Sequence, residues 1–146
     1  MTYLLDVNVL IALIDPKHVH NNAVLTWFTG EARDSWASCP LTQNGAVRIV
    51  SGSGYPNRPG SPAVVMETLA ALCDLDGHSF WADDLSLLDP RHVAANAVAS
   101  ASQITDTYLL ALAVAKNAKL ATLDRRLSPV AVPGGANAIR LIEVAE

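Results

Sequence analysis

Asp6 follows the short apolar run Tyr3-Leu4-Leu5 and precedes a second one, Val7 to Ile14, so a carboxylate stands where a buried strand turns into a helix. Asp106 opens the helical run Thr107 to Lys116, and Asp124 closes the strand-like run Leu120-Ala121-Thr122-Leu123. In an open parallel sheet, ligands bind in the crevice beyond the carboxyl ends of the strands, so acids far apart in sequence can share one pocket. Clustered carboxylates repel, and without a counter-ion at least one of them titrates high. Mg²⁺ or Mn²⁺, hard cations that prefer oxygen ligands and keep several waters, would relieve that repulsion. Such an ion can activate water and neutralise a phosphodiester. Each aspartate alone also has an ordinary reading as a helix cap or a first-turn acid; taken together at three element ends, a site is the better reading.

The neighbours are weighed in the same way. Asn8 either holds a carboxylate or a water, or simply caps the first helix, while Thr122, sharing a strand face with Asp124, either supports the site or is an ordinary strand threonine. Arg125, Arg126 and Arg48 are the cations best placed to meet phosphates, unless they are solvated surface. His18 and His20 have no third nitrogen or sulfur ligand nearby and read as surface, and Trp27, Trp36 and Trp81 read as core or interface. The glycines of Ser51 to Pro62 and of Gly134-Gly135 do not run from strand into helix as a phosphate-binding loop requires, which argues against a nucleotide cofactor.

These residues need a scaffold of alternating strands and helices. The pattern predicts strands at Thr2 to Leu5, Trp36 to Cys39, His78 to Trp81, Lys119 to Leu123 and Ile139 to Val144. Helices are expected at Val7 to Ile14, ended by Asp15-Pro16; at His18 to Thr29, capped by Gly30; and at Leu41 to Val50, with Thr42 as N-cap and Gly45 as an anomaly. Ala63 to Leu75 and Ile104 to Ala118 complete the set, and the glycine- and proline-rich stretch Ser51 to Pro62 reads as a loop. Strands alternating with helices predict an α/β fold with a parallel sheet covered on both faces.

At 146 residues the chain is expected to form one domain, 1–146. Hydrophobic residues make up 51% and charged residues 16%, which predicts extra apolar surface to hide, as in a dimer. The net charge of −4 disfavours a broad polyanion-binding face and leaves room for a local basic rim. Cys39 and Cys73, with no leader evident, read as buried thiols in a reducing compartment, and no run is long enough to span a bilayer, so a cytoplasmic protein is expected.

Three segments carry a resemblance: Leu4-Leu5-Asp6-Val7-Asn8-Val9-Leu10, Thr105-Asp106-Thr107-Tyr108-Leu109-Leu110-Ala111-Leu112-Ala113, and Leu120-Ala121-Thr122-Leu123-Asp124. In this order and setting the chain resembles the PIN-domain ribonucleases, specifically the VapC-type toxins of bacterial toxin–antitoxin pairs, along its whole length. The resemblance implies a three-layer α/β/α domain that cuts RNA with Mg²⁺ or Mn²⁺, forms a homodimer and is silenced by a VapB-type antitoxin. By position it assigns Asp6, Asp106 and Asp124 as catalytic, metal-holding acids, with Asn8 and Thr122 as supports. The family commonly adds an acid in the third helix, where this chain has only the amides of Gln43 and Asn44, a departure that bears on metal stoichiometry and rate. Two rivals are a metal-binding but catalytically silent interaction module and a phosphate-accepting receiver-like domain. The second fares poorly, because Asp6 has no acidic neighbour before Asp15 and no lysine closes the late strand.

Overall fold

Five short strands, β1 (Tyr3–Leu5), β2 (Trp36–Ser38), β3 (His78–Phe80), β4 (Lys119–Thr122) and β5 (Ile139–Leu141), form one sheet ordered β3-β2-β1-β4-β5. The computed structural model describes residues 1–145, and every strand pair in it is parallel. The chain leaves β1 first toward β2 and later returns to its other side with β4, so the order reverses between β1 and β4. In such sheets that reversal opens a crevice at the strand ends.

Side chains alternate across the sheet and divide the core in two. Tyr3, Leu5, Trp36 and Ala121 face one apolar layer, built with α1 (Val7–Ile14), α2 (Asn21–Trp27), α3 (Pro40–Val50) and α4 (Pro62–Cys73). Leu4, Ala37 and Leu120 face the other, where α5 (Ile104–Ala115) buries its run from Leu109 to Ala113. The strands of β1 and β2 are buried on both faces, as central parallel strands must be, and the result is the expected three-layer α/β/α arrangement. Among the described residues, no helix is long and apolar enough to cross a membrane.

Several local expectations are corrected. Gly30 does not cap α2, which ends at Trp27 and runs into a wide π-turn over Phe28–Ala32 that contains Gly30. Thr42 is not the N-cap of α3. Cys39 takes that place, and the Thr42 hydroxyl reaches back to accept the Cys39 N–H at 3.0 Å, a reciprocal capping arrangement. Of the two free thiols, Cys39 is buried and Cys73 only partly so.

Gly45 is explained by packing: a Cβ there would come within 2.9 Å of Val7 Cγ2, so its absence lets α3 close onto α1. The loop after α3 is tied down by Asp15, only 5% exposed. Its Oδ2 accepts from the Tyr55 hydroxyl and from Asn57 Nδ2 (3.0 Å), and its Oδ1 from the Lys17 N–H (2.9 Å). Burial pushes Asp15 up, but these donors outweigh it and hold its pKa below the usual value.

Gly77 lies where β3 begins, and a Cβ on it would sit 1.9 Å from the Arg33 carbonyl oxygen. Gly77→Ala is therefore expected to cost about 3 kcal/mol, whereas Gly30→Ala, with nothing within 4 Å of its added Cβ, should change stability by less than about 1 kcal/mol. Urea denaturation of the two variants checks the contrast.

Candidate active site

The pairing of β1 with β4 sets Leu5 opposite Ala121, and the ladder continues one step further with the Asp6 N–H donating to the Ala121 carbonyl at 2.9 Å. Asp6 thus emerges beside Thr122 at the reversal point. Its backbone is extended, and its Oδ1 accepts the Val7 N–H at 2.7 Å, so the residue caps α1 while its carboxylate stays 4% exposed. The cap reading and the site reading hold for the same side chain.

Thr122 is the hub. Its hydroxyl donates to Asp6 Oδ2 at 2.7 Å and accepts the Asp124 N–H at 3.1 Å and the Asn8 amide Nδ2 at 3.4 Å. Asn8 completes the circle by accepting the Leu123 N–H on its Oδ1 at 3.2 Å. Asn8 therefore joins α1 to the end of β4. Asp124 in turn accepts the Arg126 N–H at 2.8 Å, which orders the turn after β4.

Asp106 lies in the first turn of α5, which begins at Ile104 as the expected helix Ile104 to Ala118 does, directly after a 3₁₀ turn over Ala101–Gln103. It lines a cavity of about 270 Å³ together with Asp124 and Arg126. Burial, then the charges of Asp6 and Asp124, push the Asp106 carboxyl up to about 6. Asp6 is also raised: burial dominates, the hydrogen bonds from Thr122 and Val7 oppose it, and Asp124 adds to it. The three acids thus sense one another's charge.

The remaining expected residues are placed differently. Gln43 donates its amide to Ser38 Oγ at 3.0 Å, and with Asn44 it lines a groove between α3 and α4. Neither amide hydrogen-bonds to the three carboxylates, so the support that reaches the acids comes from Asn8 and Thr122. Arg48 is exposed on α3, and exposed Arg125 lies 3.7 Å from Glu143. Only Arg126 of the three arginines lines the cavity beside Asp106 and Asp124. Sequence reasoning passed over Ser102, Gln103 and Ser128, which line it too; their only signal was proximity to Asp106 and Asp124 in the chain.

The donor set tests what the site can hold. It is all oxygen and bears uncompensated negative charge, which suits a hard divalent cation. Among the described residues, however, no three His, Cys, Asp or Glu side chains gather into a ready-made metal cage. The fit is to an ion that takes few protein oxygens and keeps several waters, as Mg²⁺ does.

The site also sets a stability profile. Because the Asp106 pKa is raised in the folded state, its favourable contribution is complete below the unfolded value of 3.8 and is lost as pH rises through about 6. In chelator, the melting temperature is expected to fall by a few degrees between pH 5 and pH 7, a loss on the order of 1 kcal/mol after solvent screening. Asp106→Asn should flatten that slope, and calorimetry across the interval checks it.

Comparison with known proteins agrees with this architecture. The family model described as PIN domain matches residues 3–133. Ribonuclease VapC44 of Mycobacterium tuberculosis is 43% identical over 134 residues, covering 92% of this chain and 94% of the relative. Ribonuclease VapC39 of the same organism is 42% identical over 134 residues, covering 92% and 96%. Among solved structures, VapBC2 from Rickettsia felis, bound to a DNA fragment from its promoter, superposes with a TM-score of 0.59 at 12% identity, covering 98% of this chain and all of that one, a likeness of fold. With the family model spanning most of the chain and relatives above 40% identity along nine-tenths of it, the chain belongs to the PIN-domain family, in its VapC-type branch.

Proposed function

We propose that this chain is the endoribonuclease toxin of a type II toxin–antitoxin pair, hydrolysing phosphodiester bonds in single-stranded or loop RNA with the help of Mg²⁺, for which Mn²⁺ substitutes. The observation that carries the reading is the Thr122 hydroxyl bridging Asp6 and Asp124 at the reversal point of the sheet, with Asp106 in electrostatic reach of both. The ribonuclease names of the relatives support the same reading.

Asp6 and Asp106 would hold the cation, and Asp124 would act through a water. When bound, the ion supplies a more acidic water and neutralises charge on the phosphate. The chain's own part is preorganisation. Asp6 is fixed by two donors, yet each of its oxygens keeps a lone pair to offer. Thr122 fixes the backbone at Asp124, and Arg126 offers a cation to the phosphate at the mouth of the cavity. Unpaired RNA is the expected substrate, since A-form duplexes hide their base edges in a deep groove.

The partner is inferred to be a VapB-type antitoxin, a reading supported by the VapBC2 neighbour. A homodimer is supported by the exposed apolar side chains Ile49, Val64 and Met66 on α3 and α4. A second reading, a catalytically silent metal-binding module, draws on one feature: where the family commonly has an acid, Gln43 is an amide spent on Ser38.

One experiment separates the two. Purified protein is incubated with total cellular RNA in Mg²⁺, in Mn²⁺ and in chelator, beside the Asp6→Asn variant. The nuclease reading expects discrete fragments that vanish with chelator and with Asp6→Asn while the variant's fold is unchanged by circular dichroism. Fragments that persist in either control would sink the assignment, and metal binding without any cleavage would favour the silent module.

A further inference from the structure

The cavity beside Asp106 and Asp124 has a second wall whose side chains do nothing to hold the acids in place. Leu127, 8% exposed, supplies an apolar surface, and Ser102, Gln103, Arg126 and Ser128 supply polar groups. Their hydrogen-bonding capacity is unevenly spent. Gln103 Oε1 accepts the Ala99 N–H at 3.3 Å, which leaves the two Nε2 hydrogens without an acceptor among the described residues. Ser128 Oγ accepts the Val130 N–H at 3.4 Å and keeps its hydroxyl hydrogen to donate. The exposed Arg126 guanidinium makes no ion pair among the described residues. Away from the carboxylates, this wall offers donors.

A cavity of about 270 Å³ has room for one unstacked base. Single-stranded RNA is read by splaying out such bases and hydrogen-bonding their edges. A wall of donors calls for acceptors: guanine presents O6 and N7, whereas adenine replaces O6 with the N6 donor. A site built to donate to an oxygen disfavours the analogue that lacks it, because its partly buried Gln103 and Ser128 donors are left without an acceptor.

We infer that this cavity is the subsite for one unstacked base flanking the scissile phosphate, and that Gln103, with Ser128, makes it prefer guanine over adenine. The inference rests on the nuclease reading, but its test has a binding arm that does not. Short oligoribonucleotides with a single guanine in a uniform context are compared with the same strands carrying adenine or inosine. The probes are scored by cleavage with the wild-type protein and by fluorescence anisotropy with the Asp6→Asn variant. Guanine is expected to exceed adenine by about tenfold in both readouts, with inosine, which keeps O6 and N7, close to guanine. Gln103→Glu preserves the oxygen that meets Ala99 and replaces the free donor with an acceptor, so the order of guanine and adenine should reverse. Equal treatment of all bases by the wild type, or a preference that Gln103→Glu leaves unchanged, would overturn the subsite. Uniform weakening on every strand would make Gln103 a phosphate contact and overturn it as well. If no strand is cleaved in any metal, the nuclease reading fails, and the anisotropy ratio still decides whether the cavity reads guanine.

Discussion

The hydrogen bond from Thr122 to Asp6 ties the site to the sheet. It exists because β1 and β4, far apart in sequence, pair in parallel with Leu5 opposite Ala121, which leaves the next residue on each strand side by side. A slip of one residue in that register would turn each of those side chains to the opposite face of the sheet. The sheet order, the packing of α1 and α5 on opposite faces and the coupling among three carboxylates all depend on this one pairing.

The arrangement holds negative charge where the fold would rather have none. Asp6 is almost wholly buried and is met by two donors, which offset part of the cost of burial but leave its pKa raised. Asp106, with no such donors among the described residues, is pushed up to about 6 by burial and by the charges of Asp6 and Asp124. A site with its own salt-bridge partner in place would be more stable and less able to bind a cation. Leaving these carboxylates without a lysine or arginine side-chain partner among the described residues keeps the site open to a ligand, consistent with the general tension between local stability and function.

Much of this architecture is legible in the amino-acid sequence. The apolar runs mark β1, β2 and β4 because strands buried on both faces need nearly continuous hydrophobic sequence, whereas the edge strands β3 and β5 are only partly buried. Asp6 and Asp124 are legible because each ends such a run. Asp106 is legible as well, in the first turn of a helix expected from Ile104, while the preceding 3₁₀ turn carries no strong pattern of its own. Other features depend on contacts between distant segments and leave no local trace. Gly45 looks like a defect in a helix until Val7 is seen against it, and Gln43 looks like a stand-in for an acid until Ser38 is seen to take its amide. The central role of the Thr122 hydroxyl likewise emerges only when β4 lies beside β1.

The buried Asp15 carboxylate gathers three donors from two separate stretches of chain, two of them from the loop that links α3 to α4. Tyr55 and Asn57 are therefore spaced to meet a single acceptor, and the glycine- and proline-rich sequence around them is less free to vary than its composition implies. Insertions tolerated between Asn57 and the start of α4 would be poorly tolerated between Ser51 and Asn57. Within one surface connection, then, the chain keeps an anchored half that sets where α3 ends and a looser half whose length can drift.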